Sequence, residues 1–259
     1  MLARELRNLR ARSGKSLAQL HEDTTYDRTY LHRAETGERL PSIQVIEALE
    51  VVYKTHGLLV GLWKLARQEA FKEQYKDFMA CEAKASIIHK FMCSIPGLLQ
   101  TEDYAWLQLS TDPVMCDPDE IEEQVALRIG RQHLLRRDPP PHLRVILDES
   151  ALRRAPRDRK IWAGQLAHLL LSAEQPHIVI QVLPFAAGVH DLMGGSLSLL
   201  WDAKGSAVAY LEGNKSGELI EDSREVAAHR LSYDRLRDLA LSPPASVEFI
   251  KEVMEDRAT

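Results

Sequence analysis

The 259-residue sequence contains no apolar run approaching the roughly 18 residues that a membrane-crossing helix needs, so no span is expected. Its first residues, Met1-Leu2-Ala3-Arg4-Glu5, are charged at once and lack the apolar stretch of a secretory signal. A cytoplasmic location is the expectation. Cysteine is scarce: Cys81, Cys93 and Cys116 are widely separated, and no two stand at a Cys-x-x-Cys spacing. His89, near Cys93, completes no ligand set, so neither a metal site nor a disulfide framework is expected. Small buried or half-buried thiols are expected instead.

The motifs of common enzyme chemistries are missing too. There is no P-loop, no dinucleotide fingerprint, no His-Glu-x-x-His and no Gly-x-Ser-x-Gly. Gly188-Val189-His190-Asp191 and the adjacent carboxylates Asp148-Glu149 come nearest to a reactive arrangement. One His-Asp neighbour pair reads as an ordinary loop, and neighbouring strand residues point to opposite faces. No catalytic residue and no cofactor are expected.

What is present is an ordinary globular composition, 45% apolar and 27% charged, with a formal net charge of −5. The charge is unevenly spread. Arg4, Arg7, Arg10, Arg12, Lys15, Arg28, Arg33 and Arg39 outnumber Glu5, Glu22, Asp23, Asp27, Glu35 and Glu38 in the first forty residues. A mildly basic segment on an acidic chain fits a nucleic-acid partner only if those cations share a face.

The same segment predicts four helices. Leu2, Leu6 and Leu9 recur at helical spacing and Gly14 supplies the stop. Ser16-Leu17-Ala18-Gln19 reads as a capping box that opens a short second helix. Asp27 is an N-cap for a third helix, with Tyr26 placed to staple onto Leu31, and Glu35-Thr36-Gly37 ends it. Ser42 is expected to cap a fourth helix, whose inner face is Val45, Ile46, Leu49, Val52 and Tyr53. Two short helices around a tight turn suit a helix-turn-helix crossing, in which the second helix enters the major groove. Arg28, Thr29, His32 and Arg33 face outward there, and arginine can bond guanine O6 and N7 in bidentate fashion.

On these residues the sequence resembles the Cro/cI-type (XRE family) helix-turn-helix regulators. The resemblance rests on Leu6-Arg7 with Arg10, Ser16 to Leu20, Tyr26 to Arg33, Glu35-Thr36-Gly37-Glu38-Arg39, and Pro41-Ser42. It implies an ion pair between Arg10 and Glu35, base reading by Arg28, Thr29, His32 and Arg33, and backbone contacts at Leu17 and around Arg39. Leu17 departs from the usual polar residue, leaving only its backbone amide for a phosphate. Thr25 stands where the family usually has glycine, and a positive φ there would cost a β-branched residue about 1–2 kcal/mol.

Beyond Leu58 a helical pattern continues to about Lys84, read as a bridge between domains or a dimer seam. A helix is predicted from Ile121 to Arg137, stopped by Pro139-Pro140-Pro141. Its Arg128, Arg131, Arg136 and Arg137 read as a solvated, ion-paired face. Short strands are predicted at 144–147, 178–183, 196–201 and 207–211, with helices at 162–172, 224–241 and 247–254. The fold class is therefore α+β: an all-α helix-turn-helix domain over 1–70, a linker helix region over 71–94, and a mixed domain over 95–259 with a small β-sheet flanked by helices. Ile95-Pro96-Gly97-Leu98-Leu99-Gln100-Thr101, Asp148 to Leu152, and Gln181-Val182-Leu183-Pro184-Phe185 resemble marker segments of the antitoxin-like C-terminal domain of actinobacterial regulators.

Together the two resemblances imply a sequence-specific transcriptional regulator that binds double-stranded DNA as a homodimer. Its C-terminal domain would receive a signal from a small partner protein or a small-molecule effector. The alternative is an antitoxin-like interaction module whose main ligand is a small partner protein. Tyr104, Trp106, Phe185, His190 and Trp201, aromatic or imidazole side chains close to turns, form a candidate effector or partner pocket.

Overall fold

Leu2 and Leu6 are buried on one face of α1 (Leu2–Ser13), and Gly14 ends that helix with φ 67°. Ser16 opens α2 (Leu17–Thr24) through a complete capping box. Ser16 Oγ accepts from the Gln19 amide at 3.2 Å, and Gln19 Oε1 accepts from the Ser16 amide at 2.8 Å. Asp27 caps α3 (Arg28–Thr36), accepting from the Thr29 and Tyr30 amides at 2.7 and 3.3 Å, and Gly37 closes it with φ 82°. Before α4 (Ile43–Tyr53), Ser42 stands at the N-cap position but makes no side-chain cap bond; its amide instead donates to Tyr30 Oη at 3.0 Å. The 27-residue α5 (Leu58–Lys84) has a remote cap. The Glu50 carboxylate accepts from the amides of Gly57, Leu59 and Val60 at 2.6, 2.6 and 3.1 Å. Burial pushes that carboxyl up, but the three amides outweigh it and hold it below its ordinary range.

A computed structural model describes residues 1–111, 117–213 and 216–256, with the backbone alone for 67–74. Cys116 lies outside the described residues; Cys81 and Cys93 are free thiols. The chain divides into two units, Met1–Gln74 and Tyr75–Thr259. The first is helical around a core of Leu2, Leu6, Leu20, Leu31, Ala34, Val45, Ile46, Leu49 and Leu59.

The second unit is built on six strands: β1 (Ile87–Met92), β2 (His142–Asp148), β3 (Ile178–Leu183), β4 (Ser196–Trp201), β5 (Ala207–Gly213) and β6 (Ser216–Ile220). Their order is β3-β2-β1-β4-β5-β6. β1, β2 and β3 run parallel, whereas β4, β5 and β6 pair antiparallel. Parallel neighbours need crossovers. Between β1 and β2 come α6 (Glu102–Leu109), α7 (Pro118–Gly130) and a 3-10 segment, Arg131–Arg136; between β2 and β3 come α8 (Glu149–Arg153) and α9 (Arg159–Ala173). The chain ends in α10 (Ser223–Leu239) and α11 (Pro243–Asp256). Alternating side chains feed two cores. Ile88, Val145, Leu147, Ile180 and Val182 join Trp162, Leu166 and Ile250 on one side; Phe91, Ile146, Leu197, Leu199 and Ala209 join Val226, Tyr233 and Leu236 on the other.

The α+β class stands, with a six-stranded mixed sheet flanked by helices. Two strands have no counterpart among the sequence expectations. The stretch 71–94, expected as a linker helix region, holds the last part of α5 and the whole of β1. β1 lies inside the sheet with both faces covered, so it shows no apolar-polar alternation, and its Lys90 is buried. β6 contains Gly217, where a Cβ would stand 2.0 Å from Tyr210 Oη. Glycine there lets the buried tyrosine lie against the neighbouring strand, at the expense of a readable strand pattern. The predicted helix 121–137 also breaks: α7 ends at Gly130 and the chain tightens into the 3-10 segment.

Candidate nucleic-acid interface

Arg28, Thr29, His32 and Arg33 occupy neighbouring positions around α3, and all four are exposed. The opposite side of the helix buries Leu31, Ala34 and Glu35. Burial of that side in the unit's core and the Asp27 cap together leave the cationic face outward. Among the described residues, neither the Arg28 nor the Arg33 guanidinium has an ion-pair or hydrogen-bond partner. Nearby cations are engaged: Arg12 pairs with Glu5 at 2.7 Å and Lys15 with Asp23 at 2.9 Å.

The structure brings Arg10 and Glu35 together. Arg10 Nε donates to both Glu35 carboxylate oxygens at 2.8 and 3.0 Å, while Arg7 Nη2 donates to the Glu35 carbonyl at 3.1 Å. The hydrogen bond to Glu35 raises the Arg10 guanidinium further above its ordinary value, against a smaller loss from burial. Burial, with Glu35 nearby, also pushes the Tyr53 hydroxyl well above the phenol range. α1 is thus tied to the end of α3 by two arginines.

Thr25 has φ 63°, the left-handed conformation that disfavours a β-branched residue. The turn is held by its neighbours: the Thr25 amide donates to the His21 carbonyl at 2.8 Å and its hydroxyl to the Thr24 carbonyl at 2.7 Å. Leu17 packs its half-buried side chain on the core, so only its backbone amide, in the first turn of α2, is available to an anion. Arg39 is exposed and lies over the Tyr30 ring, 5.1 Å from its centroid. Tyr30 was not among the expected site residues. Its ring carries Arg39 and its hydroxyl accepts from Ser42, a relation across the Gly37 turn that no spacing rule contains.

The five residues expected to form an effector or partner pocket are dispersed. Tyr104 packs against Trp162 at 5.8 Å and lines a small cavity. Trp106, two positions along α6, points away and is 43% exposed, and Phe185 is 59% exposed. His190 stands edge-on to Phe91 at 5.3 Å, and Trp201 meets His89 at 4.9 Å, both on the other side of the sheet from Tyr104. A sheet with two covered faces separates residues that a one-dimensional reading grouped by type.

A capped short helix, a tight turn and an outward cationic helix, tied back by Arg10 and Glu35, define a helix-turn-helix DNA-binding regulator. Residues 1–63 match the family model described as Helix-turn-helix domain. Residues 75–252 match the model described as Domain of unknown function (DUF5753), and the chain belongs to that family. No curated protein and no solved structure matches the chain. Among the described residues, no helix is long and apolar enough to cross a membrane.

Proposed function

We propose that the protein is a sequence-specific transcriptional regulator that reads the major groove with Arg28, Thr29, His32 and Arg33. The observation that carries this reading is the pair of guanidinium groups on the exposed face of α3, which have no partner among the described residues. Such groups are ready for bidentate bonds to guanine or for phosphate contacts. Arg39, steadied on Tyr30, and the Leu17 amide would meet the backbone on either side. As a homodimer it would set two symmetric heads on half-sites about 10 bp, or a multiple, apart. The C-terminal unit receives the controlling signal, from a small molecule or a partner protein.

Fluorescence anisotropy on the duplex upstream of its own gene, against a scrambled duplex, tests the reading. Binding to the specific duplex should be tighter and fall steeply with salt, since released counterions set that slope. Arg28→Ala or Arg33→Ala should weaken specific binding by about 1–3 kcal/mol where the side chain reads a base. Equal loss on both duplexes would make that residue a phosphate contact. Equal, weak binding of the unaltered protein to both duplexes would sink the regulator reading and favour an antitoxin-like role.

A further inference from the structure

At the carboxyl end of β1, where the sheet passes from parallel to antiparallel pairing, lies a polar cavity of about 560 Å³. That is within the usual range of about 300–1,000 Å³ for small-molecule sites. Strand register builds one wall: Lys90 stands opposite Ser198, and Ser196 opposite Glu212, all on one face of the sheet. The crossover after β1 supplies the rest, with Gln100, Gln108, Arg128 and Arg131 turned inward. The arginines expected to form a solvated face on this segment are thus partly interior. Arg137 is likewise engaged, donating to the carbonyls of Ala83 and Ala85.

The charges lining this cavity are not balanced. Glu82, buried outside the lining itself, is shared by two of the lining cations, Lys90 at 2.8 Å and Arg131. Burial raises the Glu82 carboxyl, but Lys90 and Arg131 outweigh it and keep it below its ordinary range. Lys90 also donates to Ser198 Oγ at 3.1 Å. Arg128 has no such partner. Its Nη1 donates to Gln108 Oε1 at 2.8 Å and Gln100 Oε1 at 3.1 Å, both neutral acceptors. Among the described residues, its Nε and Nη2 have no acceptor, and no carboxylate lies within ion-pair distance. A half-buried cation without a counter-ion is unfavourable, and burial draws its pKa down accordingly. Glu212 is the carboxylate lining the cavity among the described residues, and it makes no ion pair there. Burial pushes it up despite Lys90, Arg131 and Arg128 nearby.

We propose that this cavity binds a small hydrophilic anion, whose carboxylate or phosphate group docks on Arg128 while its polar remainder faces Ser198 and Glu212. The free edge of the Arg128 guanidinium is suited to either oxyanion, and the Gln100–Gln108 pair holds it in place. Such a ligand supplies the counter-ion that Arg128 lacks among the described residues. The proposal stands whether or not α3 reads DNA.

Isothermal titration calorimetry of the full chain with sodium phosphate and with sodium succinate, at constant ionic strength, tests it. One probe or both should bind saturably at one site below about 10 mM. Binding of phosphate alone identifies a phosphate-bearing ligand, and of succinate alone a carboxylate. Arg128→Gln should weaken binding about tenfold or more, and Glu212→Gln should tighten it about two- to fivefold by removing a like charge. An Arg28→Ala/Arg33→Ala double variant should bind as the unaltered chain does. The absence of saturable binding by both probes would overturn the proposal. So would unchanged affinity in Arg128→Gln, or loss in the Arg28/Arg33 variant instead, which would place the anion on the N-terminal unit. If Arg128→Gln does not fold, Glu212→Gln decides, because unchanged or weaker binding there contradicts a net-positive site.

Discussion

The two units of this protein handle their arginines in opposite ways. In the N-terminal unit the guanidinium groups of Arg28 and Arg33, without a partner among the described residues, stand exposed on α3, while Arg10 is spent on holding helices together. In the C-terminal unit Arg131 and Arg128 turn toward a cavity, one sharing buried Glu82 with Lys90, the other with no carboxylate at ion-pair distance among the described residues. An exposed cation suits a ligand that arrives with its own extended line of charge, since solvent makes its waiting state cheap. A half-buried cation suits a compact ligand, because each interaction is strengthened where water is scarce. The contrast teaches that charge count along a chain says little until burial is known.

The sharpest way to break the contrast is at Glu82. Glu82→Ala leaves Lys90 and Arg131 buried without their counter-ion and should destabilise the C-terminal unit by about 3–5 kcal/mol. Chemical denaturation followed by calorimetry would read it, and a loss under about 1 kcal/mol would mean that water already screens the triad. Arg10→Ala is the matching change in the N-terminal unit. Glu35 is 5% exposed, and losing its partner should cost about 1–3 kcal/mol, less than at Glu82 because Arg10 itself is partly solvated. Equal losses at the two sites would erase the distinction between the units.

A third test uses pH. His89 is stacked on Tyr233 at 5.1 Å and edge-on to Trp201, and burial, with Arg144 across the strand pair, draws it down to about 4 from an ordinary 6.5. Its folded form resists protonation, so its full contribution is present above pH 6.5 and is lost as pH falls toward 4. By linkage the unfolded chain binds the extra proton in that window, at a cost on the order of 2 kcal/mol to folding. His89→Gln should flatten the acid limb of the stability curve between those values, and an unchanged limb would assign the loss to other groups.

The smallest effect concerns the turn of the helix-turn-helix. Thr25→Gly removes the strain of φ 63° but also the hydroxyl bond to Thr24 and some unfolded-state restriction. A net gain of about 0.5–1 kcal/mol is expected, read as a small rise in the melting temperature of the N-terminal unit. A loss would show that the threonine hydroxyl outweighs the strain.

Much of the N-terminal unit was readable in advance because its signals are local. The capping box at Ser16 and Gln19, the Asp27 cap, and the stops at Gly14 and Gly37 each act within four residues of themselves. The outward face of α3 follows from helical period once Leu31 and Ala34 are inside. Tyr30 beneath Arg39 and Glu50 capping α5 were not readable, since each joins positions nine or more residues apart or separated by a turn.

In the C-terminal unit the exposed signals were partial. Strands 178–183 and 196–201 announced themselves by β-branched and leucine-rich runs, whereas β1 hid a lysine and β6 a glycine. Local chemistry by itself determined the helix-turn-helix, its caps and its exposed cations, because a helix and its ends are set by residues within one or two turns. Only the tertiary structure decided that Lys90, Arg128, Arg131, Glu82 and Glu212 converge, and that the five aromatic-type residues do not. Sheet register and crossover paths bring together residues up to 130 positions apart, from Glu82 to Glu212, and no short-range period records such pairings.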